Sequence, residues 1–147
     1  MMMNGLTRAA LPVLPSAYSC ESAMEQEKKK RILIVDDEEA ILKILRIKLR
    51  VSGYEVLMAH DGRQALELIE TARPDAVILD IIMPEMDGFQ LLERLKSLPP
   101  VPVIAASAWP ENGEKALALG AKEFISKPFN VDYLVDRIQT VLDNHKS

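Results

Sequence analysis

Residues 31–40 read RILIVDDEEA: the aliphatic run Ile32, Leu33, Ile34 and Val35 passes directly into the carboxylates Asp36, Asp37, Glu38 and Glu39. A strand with no polar alternation is apolar on both faces, which places it inside a parallel sheet covered by helices on each side. The acids mark where the strand leaves the sheet and a helix begins, because anionic side chains are favoured in a first helical turn. That helix shows between Glu38 and Ser52 as Ile41, Leu42, Leu45 and Leu49, the spacing of one buried face, and Gly53 stops it.

The same alternation continues outward. A strand over Tyr54 to Ala59 leads through His60, Asp61 and Gly62 into a helix with Leu66, Leu68 and Ile69 turned inward, closed by Pro74. A third strand, Ala76 to Leu79, ends at Asp80, and after the segment MPEMDG a helix carries Leu91, Leu92, Leu95 and Leu98 on one stripe. The fourth strand spans Val101 to Ala106 and precedes a weaker helix over Glu114 to Leu119. A short fifth strand, Glu123 to Ser126, is followed by a helix that Asn130 caps and that turns Leu134, Val135, Ile138, Val141 and Leu142 inward. Apolar strands alternating with helices in this way predict an α/β fold, a three-layer sandwich around a parallel sheet. With the flavodoxin-like order 2-1-3-4-5, a (βα)5 arrangement, the first and third strands flank the point where strand order reverses, and ligands bind at the C-terminal edge there.

Four of the five strands deliver an ionisable or hydroxyl side chain to that edge: Asp36 and Asp37 from the first, Asp80 from the third, Ser107 from the fourth and Lys127 from the fifth. Three converging carboxylates repel one another, and a hard divalent cation relieves the repulsion. Magnesium suits an open site of this kind, because it takes one or two carboxylates and keeps its other positions for water and phosphate oxygens. An ammonium and a hydroxyl would pair with the remaining phosphoryl oxygens, leaving Asp80, alone at its strand end, as the nucleophile.

Composition narrows the field. The 147 residues are 48% hydrophobic and 27% charged with net charge −4, an ordinary globule with no electrostatic claim on nucleic acid or an anionic membrane. The lone cysteine, Cys20, fits a reducing, cytoplasmic compartment. Residues 1–30 show neither helical nor strand period and contain Pro12 and Pro15, so they read as a flexible extension ahead of a domain over 31–145. Rival readings are a signal peptide, which the prolines cut short, and a true start at Met24. His60 and His145 have no partner at metal-ligand spacing and read as surface residues.

From Arg31 to about Asn144 the chain resembles the receiver domain of two-component response regulators. The matching motifs are VDDE at 35–38, LDIIMPEMDG at 79–88, AASA at 105–108 and KPF at 127–129, in order and each at a strand end. The resemblance implies a stand-alone phosphoacceptor, similar to the chemotaxis regulators, in which Asp80 takes a phosphoryl group from a histidine kinase or phosphotransfer protein and thereby controls binding of a downstream protein. It implies Mg2+ held by Asp37, Asp80 and the backbone carbonyl of Ile82, with Asp36 acting through a metal-bound water. It further implies that Lys127 bridges to the acyl phosphate, that Ser107 and Phe124 switch together, and that the Lys127–Pro128 bond is cis. Such a module assists its own phosphorylation and dephosphorylation without being an enzyme in the turnover sense.

Two features depart from the family pattern. The step from Ser107 to Lys127 is 20 positions, about two shorter than the family leads one to expect, with the shortage in the segment WPENGEKALALG, where connecting loops vary most. Ile82 and Trp109, at positions that border the phosphoryl group in the family, are apolar and imply a long-lived phosphoryl group. Two other functions compete. A haloacid-dehalogenase-like phosphatase looks for a second acid two residues after its nucleophile, where this chain has Ile82. A receiver-like interaction module that is never phosphorylated would have lost a site residue, and none is lost.

Overall fold

The computed structural model describes residues 29–145. The extension read over residues 1–30, with Cys20 and Met24, therefore lies outside the described residues except for Lys29 and Lys30. The elements run β1 (Arg31–Val35), α1 (Glu39–Val51), β2 (Glu55–Ala59), α2 (Gly62–Ala72), β3 (Ala76–Asp80), α3 (Gly88–Leu95), β4 (Val103–Ser107), α4 (Asn112–Ala118), β5 (Glu123–Ser126) and α5 (Val131–Asn144). All neighbouring strands are parallel, in the order β2-β1-β3-β4-β5, which is the flavodoxin-like sheet that the alternation predicts.

Strand pleat divides the core in two. Leu33, Val35, Val77, Leu79, Val103 and Ala105 face one side and pack with Ala65 and Ile69 of α2, Leu91 and Leu92 of α3 and Ala116 of α4. Ile32, Ile34, Ala76, Ile78 and Ile104 face the other and pack with Leu42, Leu45 and Leu49 of α1 and Leu134, Ile138 and Val141 of α5. Each fully buried aliphatic side chain contributes roughly 1.5–3 kcal/mol, so the sheet is held from both faces. Among the described residues no helix is long and apolar enough to cross a membrane.

Several boundaries differ from the sequence reading for local reasons. β4 starts at Val103 rather than Val101, because Pro100 and Pro102 have no N–H to give to a ladder; the Pro102 carbonyl still accepts from Val77 N at 2.9 Å. It extends one residue further, to Ser107, which puts the hydroxyl inside the sheet. On α2 the deepest residues are Ala65 and Ile69, with Leu66 and Leu68 only half-buried. Leu98 lies past the end of α3 and packs from the following turn. α4 starts two residues earlier than its pattern, at Asn112. Gly53, at φ +98°, stops α1 in the left-handed conformation as its position predicts. The Lys127–Pro128 peptide bond is cis, as the resemblance implies.

Candidate functional site

The register fixes what meets at the C-terminal edge. Val35 pairs with Leu79 and Asp80 with Ala106, so Asp36 and Asp80 leave adjacent strands at nearly the same height. Ser107 pairs with Ser126, which brings Lys127 alongside, and Lys127 N donates to the Ser107 carbonyl at 2.8 Å. Asp36, Asp37 and Asp80 each present a carboxylate oxygen within 4.8 Å of the others. Asp36 and Asp80 are buried, at 3% and 6% exposure, whereas Asp37 is exposed.

Lys127 is the hub of the charges. Its Nζ donates to Asp36 Oδ2 at 2.9 Å and lies 3.3 Å from Asp80 Oδ2 and 3.8 Å from Glu38 Oε1. The remaining oxygens are anchored by backbone: Glu38 N donates to Asp36 Oδ1 at 2.9 Å and Ile82 N to Asp80 Oδ1 at 3.3 Å. Burial and the neighbouring Asp36 charge push the Asp80 carboxyl up to about 6, against the pull of Lys127 and the Ile82 N–H. Burial also works against the Lys127 ammonium, but its hydrogen bond to Asp36 and the charges of Asp80 and Asp36 outweigh that and raise its pKa. A single ammonium thus serves three carboxylates, leaving negative charge in excess. Oxygen-only donors with one solvent-facing member suit a hard divalent cation that keeps part of its water.

Ser107 is completely buried, and its Oγ accepts from Trp109 N and from Asn112 Nδ2, both at 3.0 Å. Phe124 is half-buried one strand over, in register with Ala105, and packs in the core cluster beneath α2, α3 and α4. Ile82 and Trp109 are 51% and 56% exposed. His60 is at the surface, as its lack of a metal-ligand partner predicts, with Nε2 2.7 Å from Glu39 Oε1; that hydrogen bond is the main reason its pKa is raised.

Sequence reasoning groups Glu38 and Glu39 together as helix-start acids. Glu39 does sit in the first turn of α1, but Glu38 is its N-cap without a side-chain cap and leans toward Lys127 instead. Asn112 escapes notice altogether, because an asparagine in a short loop carries no pattern until the helix places it on Ser107. Gly88 is also functional in the structural sense: a Cβ there would lie 2.7 Å from Ile81 Cα and 3.0 Å from the Asp80 carbonyl, so its bareness lets α3 start against the strand that carries Asp80. Asp87 caps that helix in a capping box with Gln90.

Residues 32–139 match the family model described as the response regulator receiver domain. Among curated relatives, the response regulator GtcR of Aneurinibacillus migulanus is 45% identical over 115 residues, a stretch that covers 77% of this chain and 48% of that protein. The chain spans about half the length of the curated relatives it matches. Among solved structures, a CheY-like response regulator receiver domain protein from Methanospirillum hungatei JF-1 is similar at a TM-score of 0.75 and 37% identity, covering 80% of this chain and 96% of that one. The receiver domain of the Francisella response regulator 1452 gives a TM-score of 0.76 at 33% identity, covering 80% of this chain and 100% of the other.

Proposed function

We propose, from the fact that the chain belongs to the response regulator receiver domain family, that residues 31–145 form a phosphoacceptor domain in which Asp80 receives a phosphoryl group from a histidine kinase or histidine phosphotransfer protein. The family is a phosphoacceptor signalling module rather than a turnover enzyme, and its members bind Mg2+ at an acidic pocket. The observation that carries the reading is the pairing of one buried carboxylate, Asp80, with the Nζ of Lys127 at 3.3 Å, beside two further carboxylates that leave the site short of positive charge.

The step is a displacement at phosphorus. An Asp80 oxygen attacks in line, the bond from phosphorus to the donor's imidazole nitrogen breaks, and the electron pair leaves with the donor, which takes up a proton. Attack needs the ionised carboxylate, and a pKa of about 6 leaves Asp80 mostly ionised at neutral pH. Lys127, already close to Asp80, remains protonated and pairs with the oxygens of the transferred group. Asp36, Asp37, Asp80 and the Ile82 carbonyl are the groups we assign to the metal. When bound, Mg2+ supplies charge neutralisation and ligation of phosphoryl oxygens. Ser107, with Phe124 behind it, is assigned the switching role, and output passes to a downstream protein whose binding the acyl phosphate favours by population shift. An interaction module that is never phosphorylated is disfavoured by the presence of Asp36, Asp37 and Asp80 close together with Lys127 beside Asp36 and Asp80.

Incubation with acetyl phosphate, with and without Mg2+, followed by intact mass tests this. A magnesium-dependent phosphoryl adduct that disappears in Asp80→Ala is expected. An adduct that survives that substitution, or none in the wild type, contradicts the assignment.

A further inference from the structure

Ser107 ends β4 and is fully buried, one register step beyond the pairing of Asp80 with Ala106. A hydroxyl with no access to water has to be held by protein groups. Its oxygen accepts two bonds at 3.0 Å, from Trp109 N and Asn112 Nδ2. Asn112 is the first residue of α4, where Glu111 gives no side-chain cap and the N–H groups of Asn112 and Gly113 are already satisfied by the Trp109 and Pro110 carbonyls, each at 3.0 Å. Asparagine near a helix start ordinarily turns its side chain to nearby backbone. Here the amide reaches back to the strand hydroxyl instead.

The next residue meets the second candidate switch group. A Cβ on Gly113 would lie 2.9 Å from Cδ2 of Phe124, so the Phe124 ring rests on bare helix backbone. The first turn of α4 therefore grips Ser107 through a hydrogen bond and receives Phe124 by close packing.

We infer that Asn112 is a positioning residue for the phosphoryl switch: it holds the Ser107 hydroxyl in the resting protein, and losing that hydroxyl to a phosphoryl group on Asp80 releases the first turn of α4. The inference rests on the reading of Asp80 as phosphoacceptor. The Ser107 oxygen cannot turn toward Asp80 and keep both present bonds. Once it turns, the half-buried Asn112 amide loses its acceptor and must find another, which requires its helical turn to shift. Phe124 already fills the room that a side chain at Gly113 would take, so a shift of that turn moves the backbone against which the ring rests.

The test compares the rate of phosphoryl adduct formation from acetyl phosphate and Mg2+ in wild type, Asn112→Ala, Asn112→Leu, Ser107→Ala and the Ser107→Ala/Asn112→Ala double variant. Asn112→Leu keeps the branched side-chain outline, fills the site and removes the donor, so with Asn112→Ala it separates the hydrogen bond from packing. Both single Asn112 variants are expected to phosphorylate about fivefold faster, the population equivalent of one net hydrogen bond removed from the resting state. In the Ser107→Ala background the Asn112 change is expected to have no effect, which a merely structural role for Asn112 would not produce. The single tryptophan, Trp109, whose backbone N–H shares the Ser107 oxygen, reports the same change: the emission of unphosphorylated Asn112→Ala moves toward that of the phosphorylated wild type. Wild-type rates in both Asn112 variants, or the same change with and without Ser107, overturn the inference while leaving Asp80 as acceptor. Absence of an adduct in the wild type removes the acceptor reading itself, and this inference with it.

Discussion

Asp80 is held charged at neutral pH in a place that disfavours its charge. Its folded-state value of about 6 lies above the ordinary 3.8, so between those two the folded protein binds more protons than the unfolded chain. Stability from this group therefore falls as pH rises through that window, and the whole penalty is present above it. Asp80→Asn in the metal-free protein is expected to raise unfolding free energy by about 1–3 kcal/mol at pH 7.5, with a much smaller gain at pH 4.5. Urea unfolding in the presence of a chelator checks this, and a gain independent of pH would show that the charge is not its source. The rim of the same site makes a second expectation. Ile82 and Trp109 are half exposed and apolar, and under the proposed function we assign them the shielding of the acyl phosphate from water. Ile82→Asn and Trp109→Glu are expected to shorten the phosphoryl lifetime several-fold, about 1 kcal/mol in barrier, and unchanged decay in both variants would set the shielding idea aside.

At the scale of elements, the site depends on how closely helices approach the strand ends. α3 begins directly against β3 because Gly88 has no side chain, and its N–H donates to the Ile81 carbonyl at 2.8 Å. Gly88→Ala drives a methyl into backbone that cannot move aside, so it is expected to destabilise by about 1–3 kcal/mol and to slow phosphorylation by displacing Asp80. Gly62, at the start of α2, is the control. The three atoms nearest to a Cβ there all belong to the Met86 side chain, its sulfur at 2.8 Å and its Cβ at 3.0 Å, so Gly62→Ala is expected to lie within about 1 kcal/mol of the wild type, the helix propensity gain offsetting the repacking. Thermal unfolding of the two variants side by side distinguishes a backbone clash from a generic loss of glycine. α1 and α5 serve differently: they cover the opposite face through Leu42, Leu45, Leu49, Leu134, Ile138 and Val141. Their contribution is to exclude water beneath β1 and β3, so that Asp36 and Asp80 emerge from a dry sheet.

For the molecule as a whole, folding assembles the charge problem that a cation would relieve. Strands far apart in sequence deliver Asp36, Asp37 and Asp80 to one spot, with carboxylate oxygens within 4.8 Å of one another. A cation that binds this folded arrangement and not the unfolded chain raises stability, by about 2.7 kcal/mol at a concentration a hundred times its dissociation constant. Mg2+ is therefore expected to raise the melting temperature in a saturable way, and Asp37→Ala to abolish most of the rise; an equal rise in both proteins would place the metal elsewhere. The sequence was sufficient for the layer architecture, because uninterrupted aliphatic runs such as Ile32–Val35 can be satisfied only between two helical layers. It was also sufficient to nominate Asp36, Asp37, Asp80, Ser107 and Lys127, since a charged or hydroxylated residue straight after a buried strand stands out in one dimension. The edges of β4 and α4 depart from the sequence pattern because prolines and weak helical periodicity leave local signals ambiguous until hydrogen-bond partners exist. Glu38 at Lys127, Asn112 on Ser107 and Gly113 beneath Phe124 were beyond the chain's local pattern. Those contacts join side chains on different elements, and their distances are set by strand register and helix approach, which exist only once the sheet has formed.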